Sequence, residues 1–159
     1  MRLNLGCGHV AKSPGMVGMD IVPWPNVDVV HDCEVIPWPF TDAQFESIMA
    51  WHLFEHLKPW RMVDVMNECW RVLQAGGLLK IGMPAPNSFG FYQDPTHIRT
   101  WNEVTPRYFD PDYTFYKIYE PKPWKIMVNE TYQKALPLGV TSDVYNGSLR
   151  IVLEKRGLN

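Results

Sequence analysis

The sequence predicts an α/β fold built on a mostly parallel sheet, with antiparallel strands toward its C-terminal end. Two observations predict it. An amphipathic helix is flanked by short apolar runs and followed by Gly76-Gly77, the pattern of a strand–helix–strand crossover, which handedness rules make parallel. From Phe115 onward, β-type segments are separated by prolines and by Asn146-Gly147, turn chemistry that joins antiparallel strands.

The elements follow in chain order. Leu3 to Leu5 reads as a short buried strand that stops at the turn Gly6-Cys7-Gly8. A second apolar run, Met16 to Ile21, carries Asp20 at its end. A third, Val27 to Val30, leads into His31-Asp32, and a fourth covers Phe45 to Ala50. Pro37 and Pro39 forbid helix or central strand in Ile36–Phe40, so that stretch is expected to be an extended surface segment. Residues 59–73 form the clearest helix. Pro59 fits its first turn, Met62, Val63, Met66, Cys69, Trp70 and Leu73 line one face, and Gly76-Gly77 end it. Leu78 to Met83 is then a buried strand closed by Pro84. Beyond a loop-rich stretch with one short helix from Thr105 to about Asp110, strands are expected near 115–119, 124–134 and 148–154.

Length and composition place these elements in a single domain spanning 1–159. The chain has 159 residues, 46% hydrophobic and 20% charged, an ordinary globular balance. Net charge is −2, without the basic excess that nucleic acid or an anionic membrane demands. Carboxylates gather early: residues 1–57 hold seven acidic against two basic side chains. Cys7, Cys33 and Cys69 are odd in number and widely spaced, which argues against a disulfide framework and a structural zinc site. No secretory leader or membrane-length apolar run is visible, so a cytoplasmic location is expected.

Glycines at a strand end let backbone N–H groups approach a ligand with no Cβ in the way. Asp20 and Asp32 end the next two strands. In a parallel sheet these ends share the crevice where ligands bind, and a carboxylate there can accept both hydroxyls of a ribose. Two nucleotide sites are excluded. The chain lacks the Gly-x-x-x-x-Gly-Lys-Ser/Thr of a phosphate loop, and Pro14-Gly15 leaves too little helix after Gly8 to hold a dinucleotide pyrophosphate.

The ordered set LNLGCG, VGMDI, VHD, MAWHLFEHL and ECWRVLQAGGLLKIGMP resembles the class I S-adenosylmethionine-dependent methyltransferases, above all small proteins of methyltransferase type 11. The resemblance covers residues 2–84 and extends through DPTHIRTW toward residue 109. It implies a minimal Rossmann-like methyltransferase sheet with S-adenosyl-L-methionine as cofactor and no metal. Leu5, Gly6, Cys7 and Gly8 match the turn around the cofactor's amino-acid part, and Asp20 the ribose-binding acid. Asp32 and Cys33 match the pair beside adenine, and Trp51 and His52 the residues at the methionine end.

Two departures from that family stand out. About one turn's worth of residues replaces the first crossover helix, and the first strand begins at residue 3, where the family has lid helices. The expectation is an open cofactor site, covered by the loop 85–104, by the acceptor or by a second copy of the chain in a homo-oligomer. The same departures leave a non-catalytic methyltransferase-like subunit as an alternative.

The acceptor is expected to be a small or sugar-like molecule. His97 is the first candidate for general base, since its free pKa is near neutrality, with Asp94 orienting it and His52 as a further candidate. His52-Leu53-Phe54-Glu55-His56 also satisfies His-x-x-Glu-His, in which two histidines one helical turn apart hold zinc. A zinc hydrolase would take its third ligand from Asp94 or His97. Of the seven tryptophans, Trp70 and Trp124 are expected in the core, and Trp24, Trp38, Trp51, Trp60 and Trp101 at strand ends or loops.

Overall fold

Parallel pairing joins the first five strands, as the apolar runs require. The computed structural model describes residues 1–9, 13–133 and 146–158. β1 (Arg2–Leu5), β2 (Met16–Asp20), β3 (Val29–Val30), β4 (Phe45–Trp51), β5 (Leu73–Pro84), β6 (Trp124–Gln133) and β7 (Gly147–Lys155) form one sheet in the order β3-β2-β1-β4-β5-β7-β6. β1 pairs with β2 and β4, β2 with β3, and β4 with β5, all parallel; β7 runs antiparallel to β5, and β6 to β7. The chain moves outward from β1 to β3 and then returns to β4 on the other side of β1. That reversal opens a crevice beyond the C-terminal ends of β1 and β4, the usual ligand position in open α/β sheets.

Buried side chains explain the pairing. Leu3 and Leu5 of β1, Ile48 and Ala50 of β4, and Leu79, Ile81 and Met83 of β5 are all essentially inaccessible. Against them lies α1 (Met62–Val72), entered through a 3₁₀ turn at Pro59–Arg61. Its core face is Met62, Val65, Met66, Cys69 and Val72, each buried aliphatic side chain contributing about 1.5–3 kcal/mol. Glu68 lies on that face too. Its carboxylate is satisfied by the Arg71 guanidinium at 2.6 and 3.0 Å and by the Trp38 amide at 2.7 Å.

Several expectations change. Helix α1 ends at Val72, and the Gly76-Gly77 pair lies inside β5. A register shift against β4, from Phe45–Leu73 to Ser47–Leu78, absorbs the glycines, and Gly76 takes φ +71°. Residues 115–119 are not a strand: Thr114–Ile118 is a 3₁₀ turn, because Tyr113 and Phe115 fold back onto Tyr108 within 5.3 and 6.2 Å. Within 36–40, which exposes Pro37 and Pro39 as expected of a surface segment, Trp38 is 2% exposed and turned into the core, its indole N–H donating to Cys33 O. Trp101 is fully buried as well, against Phe54 and Phe109. Trp70 is only half-buried, with Lys155 Nζ 3.8 Å from its ring centre. A short helix unforeseen in the sequence, α2 (Phe89–Tyr92), follows Ser88, whose hydroxyl caps Phe91 N. The shortened first crossover falls partly outside the described residues, which omit 10–12. No helix among the described residues is long and apolar enough to cross a membrane.

Candidate active site

The strand ends build the crevice mostly from backbone. After Leu5 the chain turns at Gly6, φ +65°, and the Gly6 and Cys7 amides both donate to Met19 O at 2.8 and 3.2 Å. A Cβ on Gly6 would stand 3.0 Å from Leu53 Cδ1, so glycine is required by conformation and by close approach. Asp20 at the end of β2 accepts Gly8 N on Oδ2 at 2.7 Å and Val22 N on Oδ1 at 3.0 Å. Each oxygen keeps a lone pair for a ligand. Asp32 Oδ1 holds Glu34 N at 2.9 Å.

These groups enclose a cavity of about 310 Å³ whose lining includes Leu5, Gly6, Asp20, Asp32, Cys33 and His56. Burial, reinforced by the neighbouring Asp32 and Glu34 carboxylates, pushes the Cys33 thiol up to about 12. At the rim Lys58 Nζ pairs with Glu34 Oε2 at 2.7 Å, and that hydrogen bond raises the lysine pKa.

Not all the expected cofactor residues face this cavity. Gly8 holds Asp20 without lining it, and Cys7 is buried against Gly18. Trp51 and His52 line a separate cavity of about 260 Å³ with Gly82, Met83, Tyr132 and Ser148. The Trp51 ring crosses Gly82 so closely that a Cβ there would fall 2.0 Å from it.

Beyond β4 the chain assembles the second half of the site from side chains. His52 takes φ +54°, a left-handed conformation that costs a non-glycine residue free energy and that clusters at functional sites. Its Nδ1 donates to Glu55 Oε1 at 3.1 Å while the ring stays 58% exposed. Glu55 is fully buried, and its Oε2 has no hydrogen-bond partner among the described residues. The Glu55 carbonyl accepts Ile98 N at 2.8 Å and Arg99 N at 3.2 Å, which ties the loop after α2 to the end of β4.

That loop delivers Asp94 and His97. The His97 ring is 6% exposed, with Nδ1 2.8 Å from Phe91 O and Nε2 3.8 Å from Glu55 and 4.0 Å from Asp94. Asp94 therefore makes no hydrogen bond to His97. Its Oδ1 accepts the Thr96 hydroxyl at 2.7 Å and the Thr96 amide at 2.8 Å, and those bonds hold its pKa below the usual carboxylate value. His52 and His56 do not stand one turn apart on a helix, because only Phe54–His56 is helical, as a single 3₁₀ turn. The central residue of the cluster is Glu55, which in the sequence stands out only as the acid of the His-x-x-Glu-His string, beside the apolar Leu53-Phe54. A larger cavity, about 440 Å³, is lined by Arg99, Trp101, Tyr108 and Tyr119 and contains none of the expected site residues.

Comparison with known proteins agrees with the fold. Residues 3–81 match a family model described as a methyltransferase domain. A Mycolicibacterium smegmatis protein named "Probable S-adenosylmethionine-dependent methyltransferase" is 30% identical over 83 residues, 50% of this chain. The chain spans 31% of that relative's length. Among solved structures, a SAM-dependent methyltransferase from Archaeoglobus fulgidus aligns over 97% of this chain and 85% of its own, with TM-score 0.64 and 19% identity. The N-methyltransferase NodS from Bradyrhizobium japonicum, in complex with S-adenosyl-L-homocysteine, aligns over 98% and 78%, with TM-score 0.62 and 14% identity. At such identities the structural likeness speaks for the fold alone. Sequence match and sheet order converge: residues 3–81 match the methyltransferase-domain family, and the sheet is the Rossmann-like one of solved S-adenosyl-L-methionine-dependent methyltransferases.

Proposed function

We propose that the chain transfers a methyl group from S-adenosyl-L-methionine to a nucleophilic atom of a small-molecule or sugar-like acceptor. The observation that carries this reading is the crevice at the end of β1 and β2, where Gly6, Asp20, Asp32 and Cys33 meet in one cavity. Its volume, about 310 Å³, falls at the lower end of small-molecule sites. Asp20 retains a lone pair on each oxygen for ribose hydroxyls, and the apolar Leu5, Ile21 and Leu53 walls suit a base and a thioether. When bound, S-adenosyl-L-methionine supplies an electrophilic methyl on a sulfonium.

The residues of the chain align the acceptor and remove its proton. Of the three candidates, His52 fits proton acceptance best. Glu55 binds its Nδ1–H, which leaves Nε2 as the free base on an exposed ring. His97 and Asp94 then act as positioning residues: His97 is enclosed beside Glu55, and Asp94 shapes the turn that carries it.

Calorimetry with S-adenosyl-L-homocysteine tests the cofactor reading. One-to-one binding well below millimolar is expected, and no heat at millimolar ligand overturns it. For the base, His52→Gln should lower kcat by about 10²–10⁴ with cofactor affinity unchanged. An equal loss of both would make His52 a structural residue.

A further inference from the structure

We infer that Glu55, His56 and His97 form a binding site for a divalent first-row transition cation, zinc foremost, at the edge of the cofactor crevice. One ligand atom from each of the three lies within 4.8 Å of the others. Zinc with bonds of about 2.0–2.2 Å needs its ligands roughly 3–3.5 Å apart, so the widest spacing must close by about 1.3–1.8 Å when the ion binds. Two histidines and one carboxylate are the donor set of an open catalytic site, with positions left for water or substrate.

Proton bookkeeping shows which nitrogen each histidine can offer. The single Thr96 hydroxyl hydrogen is given to Asp94 Oδ1, so the hydroxyl oxygen must accept from His56 Nδ1 at 3.1 Å. His97 Nδ1, facing the Phe91 carbonyl at 2.8 Å, must also be the protonated nitrogen. In the neutral rings this leaves the lone pair on Nε2. The His97 lone pair meets no donor from Glu55 or Asp94, whose oxygens stand at 3.8 and 4.0 Å. A metal-binding histidine usually gives its other N–H to a carbonyl or carboxylate in this manner.

The second, independent observation is Glu55 itself. Oε1 is engaged by His52, while Oε2 is buried and unpartnered among the described residues. One carboxylate thus orients the exposed histidine with one oxygen and offers the other to a cation. His56 also lines the crevice, so a cation held here would border the cofactor cavity, with coordination positions left for an acceptor. An acceptor oxygen bound there would be acidified and held for attack while His52 takes its proton. This use of the cation rests on the methyl-transfer reading; its binding does not.

The test is metal titration of the full chain after chelator treatment, without cofactor or acceptor. Cobalt(II), a spectroscopic stand-in for zinc, should saturate at one equivalent with visible d–d bands, and zinc should displace it. Glu55→Gln and His97→Gln should each weaken cobalt binding at least tenfold, whereas His52→Gln should change it less than about threefold. Absence of d–d bands at millimolar cobalt overturns the inference, as does unchanged binding by Glu55→Gln. A thiolate charge-transfer band overturns it too, because it would assign the metal to cysteine. Should both ligand variants misfold, the wild-type melting curve decides: a zinc-induced rise in Tm reversed by chelator supports the site, and no shift refutes it. Calorimetry with S-adenosyl-L-homocysteine on the same sample separates the failures. Cofactor without metal removes this site alone, and metal without cofactor removes the methyl-transfer reading alone.

Discussion

The crevice beyond β1 and β2 and the cluster beyond β4 both depend on carboxylates, and they treat them in opposite ways. Asp20 and Asp32 are partly exposed; Asp20 holds the Gly8 amide of the glycine turn and Val22 N of its own, and Asp32 holds Glu34 N. Those bonds aim the carboxylate before a ligand arrives. Glu55 is fully buried and, among the described residues, its side chain makes one hydrogen bond, to His52, leaving an oxygen unpartnered. An unmade bond at a buried acceptor costs about 1–3 kcal/mol, a cost consistent with a group kept for a binding partner. The crevice is a local product of strand and turn. The cluster needs the long loop 85–104 to fold back onto the end of β4.

That difference is most easily broken at Trp101, where the loop packs onto the first half of the chain. Its ring lies 5.6 Å from Phe54, edge-on, and stacks on Phe109 at 5.7 Å. Trp101→Ala should cost about 3–5 kcal/mol in denaturant unfolding. Because the Glu55 carbonyl accepts Ile98 N and Arg99 N a few residues upstream, the cluster should loosen with it. A loss under 1 kcal/mol would mean that the loop is held by the hydrogen bonds rather than the aromatic contact.

Asp20→Ala addresses the other side of the comparison, with a smaller effect. Losing the charge-assisted bonds to ribose should weaken S-adenosyl-L-homocysteine binding by about 1.5–3 kcal/mol, a factor of roughly 10–150 by titration. The amides of Gly8 and Val22 lose their acceptor at the same time, so Tm should fall as well. Unchanged affinity would remove Asp20 from the cofactor site.

Legibility in the sequence follows the same division. LNLGCG, Asp20 and Asp32 are legible because a glycine turn and two strand-end acids sit a few residues from the elements that place them, and Leu5, Gly6, Asp20, Asp32 and Cys33 line one cavity. Glu55 was not readable as the centre of the cluster. Its meaning depends on His97, 42 residues away, and on a loop without apolar periodicity. Residues 115–119 misled for a related reason: Phe115 and Tyr119 carry strand propensity, but their partner is Tyr108, seven and eleven residues back, which closes a turn. Trp38 was hidden by its prolines, which rule out regular structure without ruling out burial.

The smallest expected effect concerns Cys33, which sharpens what kind of opening the crevice has. It lines the cavity, yet burial and two adjacent carboxylates push its thiol from 9.0 up to about 12. At pH 8 its thiolate fraction would be about a thousandfold below that of a free thiol, and alkylation slower in proportion. The sign for stability follows from the raised value. The folded state keeps a proton that the unfolded chain releases near pH 9, so this contribution is whole below pH 9 and is lost as pH rises toward 12. Native protein should therefore show almost no Cys33 labelling at pH 8, with or without S-adenosyl-L-homocysteine, as read by mass spectrometry of the digested chain. Rapid labelling suppressed by the ligand would mean that the crevice opens to water well beyond the described geometry, and the contrast between a preset crevice and an assembled cluster would fail on the crevice side.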